Sequence, residues 1–177
     1  MNHLKMLQPE VFGLHWNDDY TDCFNHVETY RIRYSSWYII FLFEHTEVIL
    51  HFSDERKLCS ISSYAWKDMS SEEMPINDDR LLQWTEHYEK VVQQYVLVLG
   101  PPIFSGNPTN KEFFFYHSEA RHITLWIQAS IFMLAQDIDG WGSDLMVQMI
   151  STPRHDDETR IDPDTGCEVK SMLTCRA

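Results

Sequence analysis

One stretch of this chain, Asn77 to Pro102, dictates a long surface helix and so constrains every other element that must fold around it. Leu81, Trp84, Tyr88, Val91, Tyr95 and Val98 recur every three or four residues, which gathers an aromatic-rich stripe on one side of the helix. Such a stripe needs an apolar surface to cover it. Asn77 offers a side-chain oxygen to the first orphan amides as N-cap, and Asp78 and Asp79 place negative charge in the first turn, where the helix dipole favours it. Gly100 permits a left-handed terminator, and Pro101-Pro102 forbids continuation.

The surface that covers the stripe is expected from the preceding residues. Tyr30, Ile32 and Tyr34 alternate with Arg31 and Arg33, the period-2 pattern of a strand with one wet face. The unbroken apolar run Trp37 to Phe43 predicts a central strand covered on both sides. Val48, Leu50 and Phe52 alternate next, the polar stretch from Ser53 to Arg56 turns the chain, and Leu58 to Trp66 supplies another strand. Together these predict an antiparallel meander.

Beyond the helix, Ile103 to Lys111 reads as a surface loop because it holds Gly106, Pro108 and polar residues. Residues 118–136 fit two descriptions. Ser118 can cap a second helix that uses Ile123, Ile127, Ile131 and Leu134, but the β-branched content favours strands around Phe113 to Tyr116 and Ser130 to Gln136. Asp137-Ile138-Asp139-Gly140-Trp141-Gly142 carries hairpin-turn chemistry, with Leu145 to Ile150 as the return strand. The expected fold is therefore α+β: an antiparallel sheet, made of the N-terminal meander and a late hairpin, packed against one long amphipathic helix and optionally a second.

From Pro153 the chain has few large apolar residues and a charged run from Arg154 to Glu158. Such a segment buries too little surface to offset its ordering entropy, so residues 1–152 are expected to form one domain and 153–177 a flexible tail. At 177 residues and 44% hydrophobic composition, the chain can bury a sizeable core. The charge then belongs on the outside: 27 acidic against 14 basic residues leave a net charge of -13. A surface this negative is repelled by phosphate backbones and anionic lipid, and it attracts basic partners. Direct binding to nucleic acid or membrane is disfavoured. No basic-then-apolar leader stands at Met1 to Glu10, the longest apolar run is too short to span a bilayer, and four unpatterned cysteines fit a reducing cytoplasm.

Motifs for catalysis or metal binding are weak. Asp137, Asp139 and Gly142 mimic the opening of a calcium loop, but Trp141 and Gln148 stand where further oxygen ligands belong. Asp164-Thr165-Gly166 matches the aspartic-protease triplet without its apolar flanks. His117 and His122 have neither zinc-site spacing nor a cysteine pair and are expected to be structural. A nucleophile at Cys23 or Cys59 needs a histidine that sequence cannot place, and Cys59 in a strand is more often a small core hydrophobe. No catalytic residue, metal or cofactor is therefore expected. The candidate partner-binding residues are Glu72, Glu73, Asp78 and Asp79 before and within the helix start, and Asp137, Asp139, Trp141 and Asp144 in the late hairpin. Asp18 and Asp19 flank a further aromatic, Trp16. Aromatic anchors ringed by carboxylates suit a partner rich in Lys and Arg.

The run from Trp84 to Ile150 resembles bacterial immunity proteins of polymorphic toxin systems, including those guarding against type VI and contact-dependent effectors. The resemblance lies in a helix ending Val98-Leu99-Gly100-Pro101-Pro102, a polar loop, Leu125-Trp126-Ile127, then Ile131-Phe132-Met133-Leu134 and an acidic turn. It implies a non-enzymatic cytoplasmic protein that neutralises a cognate, basic toxin by occluding its active site. The charge also fits a nucleic-acid mimic that inhibits a host or phage-defence enzyme, and competition with plain DNA for the same surface would favour that alternative. An enzyme of another kind ranks third.

Overall fold

The computed structural model describes residues 3–67, 77–106, 122–127, 130–138, 145–153, 160–161 and 168–169, with backbone alone for 3, 127, 130–138 and the last two pairs. The α+β expectation holds. Strands β1 (Arg31–Tyr34), β2 (Tyr38–Phe43), β3 (Thr46–Phe52) and β4 (Leu58–Lys67) form the meander. Helix α1 (Tyr20–His26) precedes them and α2 (Asp78–Leu99) follows. The second half supplies β5 (Phe104–Gly106), β6 (His122–Ile127), β7 (Ser130–Ile138) and β8 (Leu145–Pro153). Meander and late strands join in one eight-stranded antiparallel sheet of order β1-β2-β3-β4-β8-β7-β6-β5. A separate ladder pairs β9 (Arg160–Ile161) with β10 (Glu168–Val169). That places short paired strands within the expected tail, and β8 itself runs through Pro153.

The seam between β4 and β8 sets Ile61 against Ser151 and Lys67 against Met146. On one face of the sheet Ile39, Phe41, Val48, Leu50, Ile61, Val147 and Met149 share a core with Met6, Leu7, Tyr20 and Cys23 and with Trp84, Tyr88 and Tyr95 of α2. Three polar tips anchor the helix to the strands. The Trp84 indole donates to the Met146 carbonyl at 2.9 Å, the Tyr88 hydroxyl meets Thr124 Oγ1 at 2.6 Å, and the Tyr95 hydroxyl reaches the Met149 sulfur. Each aromatic thus buries its ring while keeping a hydrogen bond.

The opposite face is closed as well. A register row crosses seven strands through Ile40, Ile49, Ser62, Ile150, Met133, Leu125 and Phe104, and all of these whose side chains are described are buried.

Several expectations need correction. The expected dry face of β1 is not seen: Tyr30, Ile32 and Tyr34 are 62%, 54% and 56% exposed, Arg33 is exposed too, and only Arg31 is half-buried, over the Phe24 ring at 3.7 Å. A register shift between Arg31 and Arg33 breaks the alternation that the pattern assumed. The run Trp37–Phe43 is not the sheet centre but its second strand. Ile39, Ile40 and Phe41 are covered on both sides there, while Leu42 is 47% exposed. In α2 the stripe ends on Leu99 rather than Val98, which is 66% exposed, because 3.6 residues per turn carries the buried side from Tyr95 to Leu99. Gly100 terminates the helix with φ 79° and ψ -170°, a positive-φ state open to glycine but extended rather than left-handed helical. The loop expected from Ile103 contains β5, whose Phe104 is buried, and Ile123, Ile127, Ile131 and Leu134 lie in the paired strands β6 and β7 rather than in a second helix, while the expected cap Ser118 lies outside the described residues. The expected strand at Phe113–Tyr116 lies outside the described residues.

Asn77 caps α2 as expected, its side-chain oxygen accepting from the Arg80 amide at 3.0 Å. Asn77→Ala is expected to lower stability by about 1 kcal/mol, with Asn77→Asp near neutral, in urea unfolding.

Candidate functional site

The eight nominated residues belong to two segments that meet the described fold at one end. Strand β4 finishes at Lys67, opposite Met146 near the start of β8, and β7 finishes at Ile138, opposite Leu145. Helix α2 is pinned over the same place by the Trp84 bond to Met146, less than two turns from Asp78 and Asp79. The segment carrying Glu72 and Glu73 therefore leaves from Lys67 and returns at Asn77, and the one carrying Asp139, Trp141 and Asp144 leaves from Ile138 and returns at Leu145. Asp78 and Asp79 are exposed. Asp137 lies in β7, paired in register with Met146, which itself pairs with Lys67. Glu72, Glu73, Asp139, Trp141 and Asp144 lie outside the described residues. Asp78 and Asp79 also serve the helix dipole, worth about 0.3–1 kcal/mol each.

The third acidic group behaves otherwise. Asp18 Oδ2 accepts from the His15 amide at 2.7 Å, Asp19 pairs with Lys57 Nζ at 3.0 Å, and Trp16 packs half-buried against the core. These residues close a turn, and Trp16 is no exposed anchor. Beside them Asp19, Tyr20, Thr21, Asp22, Glu55 and Arg56 line a shallow recess of roughly 340 Å³. Arg56 crosses the Tyr20 ring at 4.5 Å and so brings a cation to its rim.

Neither described cysteine is set up as a nucleophile. Burial, reinforced by Asp18, Asp22 and Asp19, pushes the Cys23 thiol up to about 12, so that almost no thiolate exists at neutral pH. Cys59 is also raised by burial, and its sulfur donates to the His51 carbonyl at 3.4 Å. It sits half-buried beside the β3–β4 register shift rather than in the core. Among the described residues no group of three His, Cys, Asp or Glu side chains is placed to hold a metal ion.

Two polar constellations escaped the sequence reading, because strand register assembles them. On the face away from α2, Gln148 Nε2 donates to Ser62 Oγ at 2.9 Å and Ser62 Oγ meets His51 Nε2 at 2.8 Å, a satisfied network in the sheet centre. On the helix side, Ser105 Oγ lies 3.0 Å from His122 Nε2 and 3.0 Å from Thr124 Oγ1, which contacts the Tyr88 hydroxyl. Desolvation lowers the His122 pKa and raises that of Tyr88, so both groups are neutral at neutral pH. The His122 ring also meets the Tyr88 ring edge-on, with centroids 5.2 Å apart.

No protein-family model matches the chain, and no curated protein or solved structure matches it. No helix among the described residues is long and apolar enough to cross a membrane.

Proposed function

We propose that this protein is an immunity-type inhibitor that binds a basic protein toxin through the acidic end of its fold and occludes the toxin's active site. The observation that carries the reading is the meeting of both nominated segments at the Lys67, Asn77, Ile138 and Leu145 end, with Asp78 and Asp79 exposed there, on a chain of net charge -13. Carboxylates collected at one end produce a directional field, which accelerates encounter with a cationic partner and selects against anionic ones. The α2 and β6–β7 segments that carry the likeness to immunity proteins are also the elements that position this end.

Affinity capture with the full chain from its source cell tests the reading. The expected catch is a basic protein whose expression alone arrests growth and whose effect is cancelled by co-expression of this chain. Capture of an acidic partner, or growth arrest that co-expression leaves unchanged, would refute it.

A further inference from the structure

Strand β1 is one border of the eight-stranded sheet, and no described strand pairs with its outer side. Ser35 closes the β1–β2 hairpin by donating its amide to the Tyr38 carbonyl at 2.9 Å, so in the alternating ladder the amide and carbonyl of the neighbouring Tyr34 point outward. An edge of this kind is a template for a further strand. This one is also apolar, because Tyr30, Ile32, Tyr34, Trp37 and Leu42 are all large and all close to half exposed or more. From Thr29 to Phe43 the chain holds two arginines and no Asp or Glu, although its net charge is -13.

The register shift in β1 separates those two cations. Arg31 and Arg33 are two positions apart and would share a face in a regular strand. Instead Arg31 pairs with Phe41, which belongs to the core on the helix face, and Arg33 pairs with Ile40 on the opposite face. Arg31 is held in place: its guanidinium lies 3.7 Å from the Phe24 ring centroid and 4.9 Å from that of Tyr34, and it donates to the Phe24 carbonyl at 3.4 Å. Arg33 is exposed. Among the described residues neither guanidinium meets a carboxylate at ion-pair distance. A strand laid along β1 therefore meets a cation on either face.

We propose that the β1 edge is a docking site for an extended acidic segment of another protein, which adds a strand to the sheet and sets carboxylates against Arg31 and Arg33. Main-chain bonds to the edge supply affinity whatever the sequence, and the two guanidiniums select for Asp and Glu. A second copy of this chain fits poorly, since it crowds the arginines of both strands together and joins two bodies of charge -13. Single-stranded nucleic acid would stack on the tyrosines, but it brings a charge with every nucleotide into that same negative field and finds two cations to receive them. A peptide needs only two carboxylates and gains the outward backbone groups of Tyr34. This edge lies three strands from β4 and so is a different surface from the acidic end of the fold.

The test is amide NMR and hydrogen exchange on the full chain with a blocked peptide of alternating Glu and Val, about seven residues long so as to cover β1, against the same peptide with Lys in place of Glu. The Glu peptide is expected to shift the β1 amides saturably and to protect the Tyr34 amide. The Lys peptide is expected to bind at least about fivefold more weakly, a difference that shrinks at high salt. Arg33→Glu is expected to weaken the Glu peptide by about fivefold or more and to abolish the preference for it, while Arg33→Lys keeps most of that preference. The comparison of the two peptides on the wild type stands whatever the stability of the variants. Absence of a saturable shift at β1, equal affinity for the two peptides, or an Arg33→Glu variant that binds the Glu peptide as tightly as the wild type would overturn the proposal. So would oligothymidine binding β1 more tightly than the Glu peptide, or self-association through β1 in sedimentation.

Discussion

Replacing Trp84 with alanine is expected to remove about 3–5 kcal/mol of unfolding free energy, the largest loss for any single side chain in α2. The indole is almost fully buried between helix and sheet, and its N–H is bonded to the Met146 carbonyl. Truncation leaves a cavity and orphans a carbonyl at the start of β8. Trp84→Phe separates the two effects, because it keeps most of the ring but not the donor, and is expected to cost about 1–3 kcal/mol. Typical domains hold only about 5–15 kcal/mol in total, so the alanine variant should show a much lower denaturant midpoint or fail to fold. A loss below about 1 kcal/mol would mean that α2 is not docked through this residue.

The helix was legible because its signals are local: a cap, a charged first turn, a 3.6-residue period and a glycine before two prolines all sit within the segment they shape. Strands β2 to β4 were legible for a related reason, since short turns fix their pairing. The β4–β8 seam was not, because it joins Ile61 to Ser151 and nothing near either residue marks the other. Helix α1 was missed too. It spans seven residues, its Asp19 makes no side-chain cap bond, and it is held by burying Tyr20 and Cys23 in the core rather than by helix-forming signals of its own. Strand β5 was hidden inside loop-like composition, and the exposure of β1 on both faces goes with an edge position and a register shift that polarity alone does not encode.

The candidate site divides in the same way. The acidic segments could be nominated from composition, and their attachment at one end of the sheet follows from the pairing of Lys67 and of Ile138 with β8. The Ser105–His122 contact could not be nominated. Seventeen positions separate the two residues, and only the pairing of Ser105 with Thr124 brings them together. The one usable hint was His122 two positions before a threonine in a β-branched stretch, which is too common a pattern to single out.

Reversing charge at the acidic end is expected to slow capture of the basic partner by roughly ten- to a thousandfold at low salt, the range that electrostatic steering supplies. Asp137, Asp139 and Asp144 make the first variant, and Asp78 and Asp79 the second. The second also carries a helix-dipole penalty of about 0.3–1 kcal/mol per residue, so its unfolding curve has to be recorded alongside. Most of the loss should lie in the association rate, because separated charges steer encounter more than they hold the complex.

The most direct test of the central claim is therefore stopped-flow association between this protein and the basic protein captured with it, at about 20 mM and at about 150 mM salt. Fast association that falls steeply with salt is expected for the wild type, and slow, nearly salt-independent association for the Asp137, Asp139 and Asp144 reversal. Equal rates and equal salt slopes for the two proteins would contradict it.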